Sequence, residues 1–219
     1  MKKLIIFGTG DIAQIANFYF EKDSDYDPVA FCVDGDYLES AVFEKKPVVA
    51  FENLISDFPP SDYYMFLALS YSQMNKFRQK KYTEAKEKGY DLASYISSKC
   101  SYMSQFPPGD NSFIFEDNTI QPFVKIGNNN TLWSGNHIGH HSVIRDNNFI
   151  SSHVVISGHC EIKNNCFIGV NATLHNNIIV EEETLIAAGA TISKNTIQKG
   201  VYLPAQTTLY KKNSSEIGF

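Results

Sequence analysis

A six-residue periodicity of aliphatic residues runs through the second half of the chain. Starting at Ile114 and stepping forward six residues at a time, every position is Ile, Leu or Val, for fourteen consecutive positions. The series is Ile114, Ile120, Ile126, Leu132, Ile138, Ile144, Ile150, Ile156, Ile162, Ile168, Leu174, Val180, Ile186 and Ile192. Because these three types make up roughly one residue in five of the chain, the chance of such a series is on the order of 10⁻¹⁰.

A period of six matches neither an α-helix nor an alternating strand. It is typical of a solenoid with triangular coils, in which each side contributes one repeat and one aliphatic residue points inward. Small or compact residues recur four places after the aliphatic ones and suit the corners: Ser142, Val154, Cys160, Cys166, Ala172, Thr184 and Ala190. The pattern predicts a left-handed parallel β-helix over residues 113–204, followed by a tail at 205–219. A sandwich of short antiparallel strands does not hold a strict six-residue phase.

The first 98 residues have a different pattern. Apolar runs at 3–7, 28–33, 63–69 and 90–96 predict strands, and amphipathic segments at 14–22 and 72–88 predict helices. Alternating strands and helices indicate a small α/β domain with a parallel sheet over residues 1–98. Residues 99–112 contain Pro107-Pro108-Gly109 and are predicted to be a linker.

The first predicted strand is followed by Gly8-x-Gly10-x-x-Ala13, and Asp34 follows the second strand. Glycines at such a turn let the backbone approach a phosphate at a helix N-terminus. A complete dinucleotide-binding domain needs more strands than this segment provides, so a half-Rossmann unit for a mononucleotide or a nucleotide-sugar fits better. The alternative is a tight strand-to-helix turn without a ligand.

Charge and cysteine content limit the classes of function. The net charge of −5 argues against a nucleic-acid partner, and no apolar run is long enough for a membrane-spanning helix. The cysteines, Cys32, Cys100, Cys160 and Cys166, have no paired spacing and predict reduced thiols in a cytoplasmic protein.

A small α/β unit followed by a hexapeptide prism resembles the bacterial sugar acyltransferases of the bacillosamine, perosamine and sialic-acid pathways. This resemblance implies an acetyl-CoA-dependent homotrimer with active sites between adjacent prisms. By position, His140 takes the place of the catalytic base, and His141 stands where an acidic partner is usual. Gly158, one coil later, corresponds to the backbone N–H donor for the oxyanion. Phe149 replaces a second histidine that helps to hold acetyl-CoA.

The resemblance also implies binding residues. Val170, Ala187 and Ala188 correspond to coenzyme A contacts, together with Phe149 and Gly158. The predicted substrate-binding residues are Gly8, Gly10, Asp11, Ile12, Asp34, Gly35, Ser70, Asn136 and His137. The predicted function is N-acetylation of a nucleotide-linked amino sugar in surface-polysaccharide biosynthesis, with sugar O-acetylation or a non-catalytic nucleotide-sugar scaffold as alternatives.

All six histidines lie between residues 137 and 175. General-base catalysis by His140 explains the clustering best. Zinc binding by His140, His141 and His159 is the alternative, because the latter two are one coil apart and some prism-fold carbonic anhydrases bind zinc in this way. Those enzymes lack an N-terminal α/β unit, so no metal site is predicted.

Overall fold

The N-terminal domain is a five-stranded sheet flanked by helices, in a computed structural model that describes residues 1–217. Its strands are β1 (Lys2–Phe7), β2 (Tyr26–Val33), β3 (Val42–Phe43), β4 (Lys46–Ala50) and β5 (Tyr64–Leu67). Their order is β3-β4-β2-β1-β5, and only the β3–β4 pair is antiparallel. The helices are α1 (Asp11–Lys22), α2 (Leu54–Asp57) and α3 (Lys76–Glu87), with short 3₁₀ turns at Gly35–Tyr37 and Phe51–Asn53. A further 3₁₀ turn, Ser214–Glu216, lies in the C-terminal tail.

The predicted strands at 3–7, 28–33 and 63–69 and both predicted helices are present, with shifted ends. Helix α3 begins four residues later than expected, because Gln73, Met74 and Asn75 have positive φ angles that no α-helix accommodates. The predicted strand at 90–96 does not join this sheet: only Leu92 bridges to Met65. The β3–β4 hairpin and α2 were not predicted.

The C-terminal domain is a triangular prism made of two-residue strands. These strands are β6 (Tyr95–Ile96), β7 (Ser101–Tyr102), β8 (Phe113–Ile114), β9 (Thr119–Ile120), β10 (Lys125–Ile126), β11 (Thr131–Leu132), β12 (His137–Ile138), β13 (Val143–Ile144), β14 (Phe149–Ile150), β15 (Val155–Ile156), β16 (Glu161–Ile162), β17 (Phe167–Ile168), β18 (Thr173–Leu174), β19 (Ile179–Val180), β20 (Leu185–Ile186), β21 (Thr191–Ile192) and β22 (Val201–Tyr202). They form three parallel sheets, and most partners, such as Thr131 and Phe149, are one 18-residue coil apart. Every aliphatic residue of the six-residue series is at most 5% exposed, as predicted.

The corners of the prism depend on left-handed backbone. Every sixth residue from Asn111 to Gly189 has a positive φ angle. Asn is the commonest residue at these positions, consistent with its tolerance of this conformation. The next residue is the small inward one, and Ser142, Cys160 and Ala172 are almost completely buried.

The three sides of the prism differ in chemistry. The aromatic side (β6, β8, β11, β14, β17, β20, β22) has Phe113, Phe115, Trp133, Phe149 and Phe167 pointing outward. The charged side (β10, β13, β16, β19) has the ion pairs Arg145–Glu161 and Lys163–Glu181. The uncharged side (β7, β9, β12, β15, β18, β21) has no Asp, Glu, Lys or Arg among the outward residues of its strands.

The N-terminal domain covers the aromatic side. Tyr71 packs on Phe149 and Phe167, with ring centroids 5.0 and 4.7 Å apart. Arg78 on α3 is completely buried and donates to Thr131 Oγ1 (3.0 Å) and to the Asn148 carbonyl (2.9 Å). Its burial lowers the pKa of Arg78 to about 9. These contacts fix the two domains against each other.

The prism begins earlier than the sequence indicated. Strand β6 pairs with β8, and β7, within the predicted linker 99–112, pairs with β9. Ile96 and Tyr102 keep the six-residue phase and pack against the prism core. No helix within residues 1–217 has the length and apolar character needed to span a bilayer.

Candidate active site

His140 lies at a corner of the prism, with its ring directly above Gly158 of the next coil. A Cβ atom at Gly158 would come within 2.8 Å of His140 Cε1 and Nε2. Gly158 is buried, whereas His140 is exposed. Gln121 fixes the main chain, since the His140 N–H donates to its Oε1 (2.8 Å). The glycine therefore makes the space that the imidazole occupies.

The side chains of His140 and His141 contact each other. Their Nδ1 atoms are 3.1 Å apart. His141 is in the left-handed corner position, with φ 60°, and its ring stacks on His159 with centroids 4.8 Å apart. Phe123, which lies in the preceding coil, packs against the His141 ring with centroids 4.6 Å apart. The side chain that contacts the His140 ring is thus an imidazole and not a carboxylate.

The backbone N–H of Gly158 already has an acceptor. It donates to Asn176 Oδ1 at 2.9 Å. The same arrangement recurs at another corner, where the Asp146 N–H donates to Asn164 Oδ1 (3.0 Å). The predicted oxyanion donor is therefore tied into a side-chain ladder along the prism, and only rotation of the exposed Asn176 amide would free it.

The predicted coenzyme A contacts separate into two groups. Val170 and Ala188 are exposed and stacked at a different corner from His140 and Gly158, while Ala187 is half-buried at the end of the aromatic side. Phe149 does not fit the prediction. It is 4% exposed, it packs against Phe167 and Tyr71, and the Arg78 guanidinium lies over its ring, so it is part of the domain interface.

A cavity of about 530 Å³ lies at the carboxyl ends of β1, β2 and β5. Its lining includes the predicted residues Gly8, Gly10, Asp11, Ile12, Asp34 and Ser70. Gly8 has φ 118°, and a Cβ there would approach the Ala68 carbonyl oxygen to 2.9 Å, so this turn requires glycine. Tyr37 and Phe77 also line the cavity and were not predicted. The position of Tyr37, three residues after Asp34, was the available signal.

Asp34 is held in place by Lys81, whose Nζ lies 2.6 Å from Asp34 Oδ1 and also contacts Glu84. Burial would lower the pKa of Lys81, but the two carboxylates outweigh it and raise this pKa. Gly35 is not in the cavity lining, because its N–H donates to the Glu52 carboxylate (3.0 Å).

Asn136 is buried within the prism and does not reach a substrate. Its Oδ1 accepts the Val154 N–H at 2.7 Å, and its Nδ2 donates to the Trp133 carbonyl. The prediction for Asn136 is therefore wrong. His137 points outward from β12 on the uncharged side and is half-buried.

The histidines share one region of the prism. His137 and His175 lie on the uncharged side, His140, His141 and His159 at one end of it, and His153 at the other. Clustering in sequence thus reflects placement on one side and its two corners.

Comparison with known proteins supports this architecture. The model of the family described as bacterial transferase hexapeptide (six repeats) matches residues 123–158 and 159–194. Both matched segments lie within the prism. No curated protein matches the chain significantly in sequence.

Solved structures with the same fold cover both domains. The acetyltransferase domain of PglB from Neisseria gonorrhoeae is 17% identical, with a TM-score of 0.81, over 94% of this chain and 100% of that one. PerB from Caulobacter crescentus, in complex with CoA and GDP-perosamine, is 17% identical, with a TM-score of 0.77, over 91% and 92%. WeeI from Acinetobacter baumannii is 17% identical, with a TM-score of 0.76, over 90% and 94%. The predicted fold, an α/β unit joined to a left-handed β-helix, is confirmed.

Proposed function

We propose that this protein is an acetyl-CoA-dependent acetyltransferase that N-acetylates a nucleotide-linked amino sugar, with His140 as the general base. The observation that carries the proposal is the His140 imidazole seated over Gly158 at an open corner of the prism. Two solved structures of this fold support the choice of reactants: the PglB domain with acetyl coenzyme A, and PerB with CoA and GDP-perosamine.

The chemistry requires a proton acceptor beside an attacking amine. An imidazole titrates near neutral pH, which suits removal of that proton as the amine attacks the thioester carbonyl. The His141 Nδ1 atom, 3.1 Å from His140 Nδ1, positions the ring so that Nε2 is the reacting nitrogen. Such a base contributes about 10²–10⁴-fold to the rate.

We assign stabilisation of the developing oxyanion to the Gly158 N–H. Because this group donates to Asn176 Oδ1, the thioester oxygen has to replace the Asn176 amide when acetyl-CoA binds. Asn176 is exposed, so its side chain has room to rotate. This exchange keeps the donor satisfied before and after binding.

The nucleotide part of the acceptor is assigned to the cavity of the N-terminal domain. The turn from Gly8 to Gly10 brings backbone close to a ligand, and the N-terminus of α1 favours a phosphate. Tyr37 and Phe77 add aromatic surface beside this turn. A volume of about 530 Å³ is within the range of small-molecule sites.

The assembly we propose is a homotrimer in which acetyl-CoA lies between two prisms. The corner with His140 and Gly158 is one six-residue side, about 20 Å, from the corner with Val170 and Ala188. The uncharged side joins these corners, and the absence of charge suits burial against a second copy. In a ring of three copies, each interface brings the His140 corner of one copy next to the Val170 corner of its neighbour.

The trimer is tested by Val155→Glu, with Val143→Glu as the matched control. Both valines are the first residue of a two-residue strand, but Val155 lies on the uncharged side and Val143 on the charged side. Light scattering should give a trimer for the wild type and Val143→Glu and smaller species for Val155→Glu. A trimer for both variants would place the interface elsewhere.

The activity is tested by incubating acetyl-CoA with a panel of nucleotide-linked amino sugars and detecting the acetylated product by mass spectrometry. His140→Ala should lower the rate by about 10²–10⁴-fold. Full activity in this variant would exclude His140 as the base. Acetylation at a hydroxyl would favour the O-acetyl alternative, and absence of product with every acceptor would favour a nucleotide-sugar scaffold.

A biosynthetic role in surface polysaccharide follows from such an acceptor. A cytoplasmic location is consistent with the four cysteines, all free thiols. Burial raises the pKa of the Cys166 thiol to about 12, which keeps it protonated and unreactive.

A further inference from the structure

We propose that His140, His141 and His159 form a binding site for a divalent transition-metal ion of the Zn²⁺ type. The sequence offers these histidines only as an alternative zinc site, which is set aside there because prism-fold zinc enzymes lack an N-terminal α/β unit. In the structure one ligand atom of each imidazole lies within 4.8 Å of those of the other two.

The distances suit a metal. With Zn–N bonds of about 2.05 Å, two nitrogens of a tetrahedral site are roughly 3.3 Å apart. The Nδ1 atoms of His140 and His141 are already 3.1 Å apart. The longest nitrogen–nitrogen separation has to shorten by about 1.5 Å, and all three side chains are exposed.

Few partners compete with a metal for the nitrogen atoms of these rings in the described chain. The Nδ1–Nδ1 contact is the only side-chain hydrogen bond that these three rings make within residues 1–217, and one of its two nitrogens has to be an acceptor. None of the three rings forms an ion pair in the described chain. Three imidazoles leave a fourth position open to water or a thiolate.

Metal binding has a consequence that rests on the proposed function. A metal ion on His140 Nδ1 leaves the proton of the neutral ring on Nε2, so Nε2 no longer accepts the proton of the amine. The corner therefore has two exclusive states, a general base without metal and a metal site without base activity. Zn²⁺ becomes an inhibitor of acetyl transfer.

The test is Zn²⁺ binding by tag-free, metal-stripped protein, measured by competition with a chromophoric chelator. His159→Asn removes one ligand, and His153→Asn is the matched control. His153 is also an exposed histidine with a positive φ angle, but it lies at another corner. Asn is the commonest residue at such corners, so both variants should fold.

We expect one Zn²⁺ per chain for the wild type and His153→Asn, and at least about tenfold weaker binding for His159→Asn. Equal affinity in His159→Asn, or no saturable binding by the wild type, would overturn the proposal. This readout does not depend on catalysis, so a failure of the proposed function leaves it interpretable.

Acetyl transfer is then measured with and without Zn²⁺ for each protein, and the two rates are compared within the same variant. Zn²⁺ should suppress the wild type and His153→Asn and spare His159→Asn. Equal suppression of all three proteins would mean that the inhibitory ion binds elsewhere. It would contradict the proposal that metal binding and base activity exclude each other at this corner.

Discussion

Replacing Gly158 with Ala tests whether His140 acts from its position over this residue. The new Cβ would lie 2.8 Å from His140 Cε1 and Nε2, whereas an ordinary contact is about 3.5 Å. The ring therefore has to shift by about 0.7 Å. Because a misplacement of about 1 Å can lower a rate 10²-fold, we expect kcat to fall by about 10–100-fold.

The same substitution should leave the fold almost unchanged. The φ angle of Gly158 is not positive, so alanine is compatible with its backbone. The colliding atoms belong to an exposed side chain that can move. We expect the free energy of unfolding to stay within about 1 kcal/mol of the wild type, measured by denaturant unfolding.

A double-mutant cycle separates this effect from general damage to the site. In a His140→Ala background no ring is left to collide with, so Gly158→Ala should have little further effect on kcat. Wild-type kcat in Gly158→Ala, or the same loss in both backgrounds, would refute the reasoning.

Three further predictions concern stability and acetyl-CoA binding. Burial would raise the pKa of Asp23, but hydrogen bonds from Ser98, Tyr95 and Ser97 outweigh burial and lower this pKa. The stability that these hydrogen bonds provide is therefore present above the ordinary pKa of 3.8. It is lost as the pH falls through and below that value. Asp23→Asn should therefore flatten the acid limb of a Tm-against-pH profile, and an unchanged profile would contradict this. Phe149→Ala should lower the free energy of unfolding in urea by about 3–5 kcal/mol and leave the affinity for acetyl-CoA, measured by calorimetry, unchanged. Weaker acetyl-CoA binding at unchanged stability would instead indicate that Phe149 contacts the cofactor. Asn176→Ala frees the Gly158 N–H and should tighten acetyl-CoA binding in the same assay, and unchanged or weaker binding would argue against this N–H as the oxyanion donor.

The prism was predictable because one physical rule acts at every repeat. An inward aliphatic residue is buried once per side, so the period of six appears directly in the sequence from Ile114 to Ile192. The phase also includes Ile96 and Tyr102, but Pro108 interrupts the series between them and Ile114. The start of the prism was therefore missed.

The chemistry of the three sides was also present in the sequence. Outward residues at a spacing of eighteen are mostly aromatic on one side, where Phe113, Phe149 and Phe167 share a series with Thr131, and they are uncharged on another. Reading the chain by coils rather than by repeats would have shown that Phe149 belongs to a surface that α3 covers.

The misassigned site residues depend on contacts that sequence spacing does not specify. Asn136 is satisfied by a neighbouring coil, the Gly158 N–H by Asn176, and Gly35 by Glu52. Each contact joins residues 17 or 18 places apart and depends on a side-chain rotamer. The His140–Gly158 stack was predictable because a strict 18-residue coil places one above the other.

Mixed trimers test the central claim, an acetyltransferase site shared between neighbouring copies, most directly. His140→Ala disables one corner, and Ala188→Trp blocks the other. Each variant alone should be inactive. Co-expressed chains should recover about a quarter of the wild-type rate, because random assembly of a cyclic trimer gives two intact corners at about a quarter of the interfaces. No recovery from a mixture that assembles as well as the wild type would contradict a shared site.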